Sequence, residues 1–200
     1  MVGDNGTALK TTNGGTSWGS MTVGTTANLR FVYFFDSNNG FISGSGGLIL
    51  KTVDGGSTWT PCTTGTTSQI TSVYFTSSSV GYASGAGGTL LKTTTSGTTW
   101  STLTSGVTSN LGIVQFTTSS NAVVCGDAGV IRQTTTSGTS WSAVASGTPD
   151  NLTGLEFYDA SNGFIVGGDV PLNIGNILRT TDGGNSWTSF APGSSRLTKV

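Results

Sequence analysis

The segment Lys51-Thr-Val-Asp-Gly-Gly-Ser-Thr-Trp59 decides the fold, because it occurs five times with small changes. The copies, here called boxes, span residues 10–18, 51–59, 92–100, 133–141 and 179–187. They end in Trp18, Trp59, Trp100, Trp141 and Trp187, which lie 41, 41, 41 and 46 residues apart and are all the tryptophans of the chain. A period near 40 residues indicates repeats that pack on their neighbours.

Each repeat predicts four strands. Alternating apolar runs mark the first strand at Leu29–Phe34, Ile70–Phe75, Leu111–Phe116 and Leu152–Phe157. A second stretch ends in glycine at residues 44, 85, 126 and 167, a third strand (48–52, 89–93, 177–181) leads into the box, and a fourth leaves through the tryptophan. Four antiparallel strands in this length are typical of a propeller blade. We therefore expect an all-β fold, with residues 1–200 forming a single β-propeller domain of four-stranded antiparallel blades.

The turns between the first two strands carry asparagine–glycine pairs. Asp36-Ser-Asn-Asn-Gly40 and Asp159-Ala-Ser-Asn-Gly163 both lie between apolar runs. Such pairs favour type I′ hairpins, whose two central residues need positive φ.

The box itself has the chemistry of a turn. Asn13, Asp54 and Asp182 stand where a side-chain oxygen can accept backbone N–H bonds, and the following glycines supply positive φ. Thr95 and Thr136 replace them in the middle copies and predict a weaker turn held by hydroxyl groups. A catalytic or metal-binding series would also use aspartates, but repetition in one local context favours a structural role. The tryptophan offers an apolar face to pack between sheets.

The boxes resemble the Asp-box, or bacterial neuraminidase repeat, with its Thr-x-Asp-x-Gly-x-Thr-Trp core. The longer unit, with Asn-Gly-Phe before the box, is similar to the photosystem II assembly factor family related to Ycf48. The resemblance implies a propeller whose boxes lie on the periphery, away from the central pocket. Asp-box proteins include sialidases, glucan hydrolases, sortilin-type receptors and assembly chaperones, so the resemblance is weakly specific for function. Because such repeats occur in large secreted and surface proteins, it implies a secreted or cell-surface, bacterial-type location.

The two ends of the sequence complement one another. Leu197-Thr-Lys-Val200 repeats the start of the first strand, and Val2-Gly3-Asp4 repeats the end of the second. We expect five blades closed as a molecular Velcro by the C-terminal strand. The alternative is a slice of a longer array of six or seven blades.

Composition removes several classes of partner. Serine and threonine make up 64 residues, the net charge is −1, and there is no histidine. This balance leaves no electrostatic footprint for nucleic acid, and no apolar run approaches a membrane span. Residues 1–20 lack the features of a signal peptide. Cys62 and Cys125 fall on different kinds of strand in non-adjacent repeats, so we expect two thiols.

The chain lacks most of the side chains that common catalytic sites require. Glu156 is the single glutamate, and Arg30 and Arg196 are too few for the arginine clamp of a sialidase-like site. Without histidine, Ser-His-Asp and Cys-His arrangements and histidine metal sites are excluded. A pair such as Asp127 with Asp169 leaves a degenerate glycoside hydrolase open. We expect no enzyme activity, no metal and no cofactor.

A binding surface is expected on the face opposite the boxes, where the 2–3 and 4–1 connections emerge. The candidate rim consists of Asp4, Asn5, Arg30, Asp127, Asp169, Asn173 and Arg196. It includes the one insertion, residues 168–176, in a 2–3 connection, and insertions in repeat proteins often mark the binding face. The alternative is that these are ordinary solvated turn residues.

The rim favours hydrogen bonding to a protein or glycan surface. We expect a non-catalytic extracellular interaction or structural module, of the adhesin or scaffold type. Lectin-like carbohydrate binding and self-association into a surface fibre through poorly charged blade edges are the alternatives.

Overall fold

A computed structural model of the chain describes residues 1–169 and 174–190. Within these ranges the regular structure consists of strands and three short 3-10 turns, without an α-helix. This confirms the all-β prediction. No helix in the described part of the chain is long and apolar enough to span a bilayer.

Strands recur in the order that the sequence predicts, and the 3-10 turns lie at residues 45–47, 86–88 and 127–129. The strands are β1 (Leu9–Lys10), β2 (Gly19–Ser20), β3 (Leu29–Phe34), β4 (Gly40–Gly44), β5 (Ile49–Thr52), β6 (Thr60–Pro61), β7 (Ile70–Phe75), β8 (Gly81–Gly85), β9 (Leu90–Thr93), β10 (Ser101–Leu103), β11 (Leu111–Phe116), β12 (Ala122–Gly126), β13 (Ile131–Thr134), β14 (Ser142–Val144), β15 (Leu152–Phe157), β16 (Gly163–Asp169), β17 (Ile174–Thr180) and β18 (Thr188–Phe190).

Four of the repeats form four-stranded sheets in simple chain order, β3 to β6, β7 to β10, β11 to β14 and β15 to β18. The first repeat contributes a two-stranded sheet, β1–β2, and a bridge between Val2 and Ala8. The predicted closing strand Leu197–Val200 lies outside the described residues.

Glycine ends the second strand of the second, third and fourth repeats, at residues 44, 85 and 126, and two backbones approach closely at Gly44 and Gly126. A Cβ on Gly44 would lie 2.3 Å from the carbonyl oxygen of Asn28, and one on Gly126 would lie 2.1 Å from that of Asn110. The register of the first strand shifts at the same level, between Leu29 and Phe31 in β3. Any side chain at the glycine would therefore force the ladder apart.

The predicted type I′ turns are wrong. None of residues 38–40 has a positive φ. Instead Asp36 Oδ1 accepts the backbone N–H groups of Asn38 and Asn39, both at 2.7 Å, and Asp159 does the same for Ser161 and Asn162. A carboxylate at the first turn position offers this local bond and removes the need for two left-handed residues. Gly40 is required for space, since a Cβ there would lie 2.6 Å from the Phe34 ring.

The insertion in the last repeat lengthens a hairpin. β16 continues to Asp169 and β17 begins at Ile174, with Gly168 paired to Gly175 and Asp169 to Ile174. At these positions the predicted binding loop is a strand ladder, and residues 170–173 lie outside the described part.

Contacts divide the chain into two compact units, one of residues 1–83 with 91–101 and the other of residues 84–90 with those from Thr102 onward. In the first unit, one core cluster includes Phe41, Phe75 and Trp100, and a second includes Ile42 and Leu50. In the other unit the core is built on aliphatic side chains such as Val123 and Leu178, with Phe157 beside Trp187. The predicted single domain over residues 1–200 stays a prediction.

Candidate functional site

The boxes are closed hydrogen-bonded turns. Asp54 Oδ1 accepts the Thr58 N–H at 2.9 Å, and Asp54 Oδ2 accepts the Thr58 hydroxyl at 2.6 Å. The Thr52 hydroxyl donates to Asp54 and accepts the Gly56 N–H. These bonds, led by the Thr58 hydroxyl, lower the pKa of Asp54 to about 2. Asp182 bonds Ser186 in the same way, and Asn13 bonds Ser17. The box carboxylates are thus occupied within their own turns.

The middle boxes use a hydroxyl in place of the carboxylate. Thr95 Oγ1 accepts the Thr99 N–H at 3.0 Å, and Thr136 Oγ1 accepts the Ser140 N–H at 3.0 Å. Ser96 and Ser137 take the left-handed conformation that glycine holds in the other boxes, with φ of 53° and 52°.

Apart from Asp169, whose side chain is not described, every acidic side chain in the described residues has a partner. Beyond the boxes and the Asp36 and Asp159 turns, Asp150 accepts a bond from Asn176, and Glu156 accepts one from Gln115 at 3.3 Å. In the described part of the chain, no group of three or more Asp, Glu, Cys or His residues is placed to hold a metal.

The structure brings part of the predicted rim together in the first unit. Arg30 Nη1 lies 3.0 Å from Asp4 Oδ1, and both side chains are exposed. Asn5 adopts a φ of 54°, and its N–H donates to Asn28 Oδ1 at 3.0 Å. An exposed ion pair of this kind contributes little to stability. Because both side chains are exposed, they are accessible to a ligand.

In the other unit Asp127 begins the 3-10 turn after β12, and its Oδ2 accepts a bond from Asn110 Nδ2 at 2.8 Å. Asp169 is described only as a strand residue, and Asn173 and Arg196 lie outside the described residues. The binding role of the rim stays a prediction.

Sequence reasoning missed three asparagines that bond the turns between the second and third strands. Asn28, Asn110 and Asn151 each accept an N–H of the 2–3 turn at 3.0 Å, from Asn5, Gly87 and Ala128 respectively. Their position just before the first strand in three repeats was the available signal.

Sequence reasoning also missed an apolar groove beside the first and second boxes, here called the Trp18 groove. It encloses about 410 Å³, and its apolar walls come from Met1, Leu9, Trp18, Met21, Val32 and Phe34. Trp18 is 45 % exposed and Phe34 is 40 % exposed, whereas Phe75 and Trp100, at the repeat positions of Phe34 and Trp59, are each 6 % exposed. Exposed aromatic surface in a concave site is typical of protein recognition.

The polar groups at the margin of the groove already have partners. Lys10 Nζ donates to the Gly55 carbonyl at 2.6 Å. Asp36 is held by its turn, whose bonds, with that from the Asn39 side chain foremost, lower the pKa of the carboxyl. The groove therefore presents apolar contacts rather than a free charge.

Comparison with known proteins identifies the architecture. The family described as photosynthesis system II assembly factor YCF48 matches residues 1–68. No curated protein sequence gave a significant match. Among solved structures, a YCF48 bound to D1 peptide shares 22 % identity with a TM-score of 0.71, covering 89 % of this chain and 58 % of that one. The chain thus spans less than two thirds of that protein.

Two further structures share the fold. YCF48 from Cyanidioschyzon merolae has 21 % identity and a TM-score of 0.65, covering 86 % of this chain and 58 % of that one. An ancestral GH74 enzyme has 17 % identity and a TM-score of 0.75, covering 94 % of this chain and 29 % of that one. The chain is an Asp-box β-propeller, built of four-stranded antiparallel blades and similar to the Ycf48 family.

Proposed function

We propose that the chain is a non-catalytic protein-binding module whose Trp18 groove takes an extended apolar segment of a partner. The observation that carries the proposal is the exposure of Trp18 and Phe34 in one concave site of about 410 Å³. Tryptophan and phenylalanine supply much of the energy of protein interfaces because they bury large apolar areas at a small cost in conformational entropy.

A peptide is the ligand class that the comparisons favour. A structural neighbour, YCF48, was solved bound to D1 peptide. That peptide belongs to that protein, and the likeness to it is one of fold. It supports peptide recognition as the first activity to test for this propeller.

The disposition of the acidic groups supports a non-catalytic role. A glycosidase needs two carboxyl groups facing one pocket, with one free to give or take a proton. The described carboxylates are instead bonded to turns or to neighbouring amide and guanidinium groups. Asp127, one of the pair that the sequence left open, bonds Asn110.

The proposal is tested by screening a library of unstructured apolar peptides against the purified chain, with affinity measured by calorimetry. Trp18→Ala should weaken any bound peptide about tenfold, because it removes a stacking surface worth about 1.5 kcal/mol. Phe190→Ala is the control, since Phe190 is also exposed, at 51 %, but lies outside the groove.

If a peptide binds and Trp18→Ala leaves its affinity unchanged, the result contradicts the proposal that peptides bind in the Trp18 groove. A glycan array with strong signals, together with an empty peptide screen, replaces the proposal with carbohydrate binding. Light scattering that shows concentration-dependent assembly, with no peptide bound, replaces it with self-association.

We also propose that the module acts as a scaffold or adhesin at the cell surface or in secreted form. The large share of hydroxyl side chains and the small number of charges support this environment. Fractionation of the native host tests it, and recovery of the protein only from the cytoplasm contradicts it.

A further inference from the structure

A polar pocket lies between the second and third repeats, where the turns after their first strands meet the boxes. Both repeats form four-stranded sheets, β3 to β6 and β7 to β10. The pocket encloses about 240 Å³, and all of its lining residues belong to the first compact unit. They are Phe35, Asp36, Asn39 and Lys51 of the second repeat with Ser78 and Ser96 of the third.

Lys51 supplies a cation to this pocket and lacks the bond that its counterparts make. Lys10 and Gln133, at the same box position, each donate to a backbone carbonyl of the next box, at 2.6 and 3.2 Å. The matching acceptor for Lys51 is the carbonyl of Ser96, which lines the same pocket. In the part of the chain that the structure describes, Lys51 Nζ makes no hydrogen bond or ion pair. The ammonium group can therefore donate to a ligand.

Four further polar groups of the lining have spare hydrogen-bonding capacity. Within the described ranges, the hydroxyls of Ser78 and Ser96 and the side-chain oxygen of Asn39 make no hydrogen bond. Asp36 Oδ1 accepts three bonds from Asn38 and Asn39, whereas Oδ2 accepts one, from Asn39 Nδ2 at 2.8 Å. Because a carboxylate oxygen can accept two hydrogen bonds, Asp36 Oδ2 can accept another.

The mixture of groups selects a neutral ligand that both donates and accepts. A lysine ammonium only donates, and an ionised carboxylate only accepts. An anionic ligand would meet the carboxylate of Asp36, and a cationic ligand would meet the ammonium of Lys51, so like charges repel in either case. A hydroxyl group donates and accepts, so neighbouring hydroxyls of one neutral molecule can satisfy both side chains.

The aromatic wall of the pocket is held in place. Phe35 is partly buried and stacks on Phe75, with ring centroids 5.7 Å apart and an interplanar angle of 24°. It adds an apolar surface to a lining that is otherwise polar. A ligand that fits must therefore carry hydroxyl groups together with an apolar patch of C–H groups.

We propose that this pocket binds a neutral sugar residue of a glycan. Hydroxyls of the sugar accept from Lys51 and donate to Asp36, and the C–H groups of the pyranose ring lie against Phe35. A volume of about 240 Å³ is the share of about eight water molecules, which suits one pyranose ring. The site goes beyond the proposed function, and among the described residues it shares only Asp36 with the lining of the Trp18 groove.

The test uses methyl glycosides of glucose, galactose and mannose as probes for the intact chain. Each is paired with its uronate, which carries a carboxylate, and with its 2-amino-2-deoxy counterpart, which carries an ammonium. Binding is followed by NMR titration of the labelled protein, and at least one neutral glycoside should shift the amide signals of Ser78 and Ser96. Both charged counterparts should bind about fivefold more weakly, the factor for like charges about 4 Å apart in water.

Protein variants then locate the site. Lys51→Met keeps the length of the side chain but removes its donors, and it should weaken the bound glycoside about tenfold, because hydrogen bonds to charged groups are the strong ones. Arg179→Met is the matched control, since Arg179 holds the same box position, is exposed and lies outside the pocket. Circular dichroism checks that both variants fold.

Three outcomes would overturn the inference. The first is the absence of any shift at about 10 mM glycoside, a concentration that nearly saturates a site with a Kd of about 1 mM. The second is tighter binding of a uronate than of its neutral parent, which would make the pocket an anion site. The third is glycoside binding that Lys51→Met leaves unchanged. The peptide screen has its own readout, so each of these results leaves the proposed function standing.

Discussion

Two of the five boxes hold their turn with a threonine hydroxyl and a left-handed serine. Thr95 Oγ1 accepts the Thr99 N–H and shares a hydrogen bond with the Thr99 hydroxyl, but it is neutral, whereas the charged Asp54 carboxylate accepts both the N–H and the hydroxyl proton of Thr58. A left-handed serine also carries a steric cost that glycine avoids. The sequence predicted the weaker turn from Thr95 and Thr136, and the hydrogen bonds show how it is built.

Restoring the consensus residues in the third box should stabilise the protein. We expect Thr95→Asp with Ser96→Gly to raise the free energy of unfolding by about 1 kcal/mol, through a charge-assisted bond to Thr99 and relief of the positive φ. Urea unfolding measures the change. Thr94→Asp, at the exposed neighbouring position, is the control, and an equal gain there would show that charge alone is responsible.

The two cysteines are thiols, as the sequence predicted. Burial raises the pKa of Cys125 to about 12 and that of Cys62 to about 11. Since the thiolate is the reactive form, we expect both thiols to react with a disulfide reagent at pH 8 far more slowly in the folded chain than in denaturant. The Cys62→Ser variant isolates Cys125, and rapid native-state labelling of that variant would contradict its burial.

At the scale of the strand, Phe41 of the second repeat packs against Gly97 in the box of the third repeat. Gly97 and Gly56 share a left-handed conformation, with φ of 82° and 87°, but an added Cβ would lie 2.3 Å from Phe41 at Gly97 and 3.4 Å from its nearest neighbour, Trp59, at Gly56. Alanine substitutions at the two positions therefore separate the energetic cost of backbone strain from the cost of overpacking.

We expect Gly97→Ala to lower the free energy of unfolding by about 2–4 kcal/mol, the sum of backbone strain and overpacking against Phe41. Gly56→Ala should cost about 1 kcal/mol, because its nearest neighbour, Trp59 Cζ2, lies 3.4 Å from the added Cβ. Chemical denaturation of the two variants gives the comparison. Equal costs would mean that the surroundings of Gly56 are packed as tightly as those of Gly97.

At the scale of the whole molecule, stability should hardly change between pH 5 and 8, because the chain has no histidine. Turn hydrogen bonds lower the pKa of Asp36, Asp54, Asp159 and Asp182. A lowered pKa contributes stability above the unfolded value, about 3.9, which is lost as the pH falls through the folded one. We therefore expect Tm to fall between about pH 4 and pH 2.

At alkaline pH, stability is lost through groups whose pKa values are raised in the folded state rather than lowered. Burial raises the pKa values of Tyr33, Cys62 and Cys125, so their neutral forms stabilise the fold below the unfolded pKa values. That stability is lost as the pH rises from about 9 towards 12. Calorimetry across the full pH range measures both limits, and a transition near pH 6.5 would contradict this account.

The sequence by itself determined the repeat, the strand order and the boxes. These follow from local chemistry, since alternation makes a strand and a glycine pair permits a left-handed turn wherever it occurs. The sequence-based prediction of the turn type failed after Phe34, because the same residues can form either a type I′ hairpin or a turn whose N–H groups bond Asp36.

Only the tertiary structure decided which aromatic residues are exposed in the groove that we propose as the binding site. The boxes of Trp18 and Trp59 read alike, and Phe34 matches Phe75 in sequence, yet Phe34 is 40 % exposed and Phe75 is 6 % exposed. The difference arises because Phe41 covers Phe75, and no described residue occupies the same place over Phe34. The exposure of a side chain depends on what the neighbouring repeat packs against it, so a repeated sequence does not show which of its equivalent residues are buried.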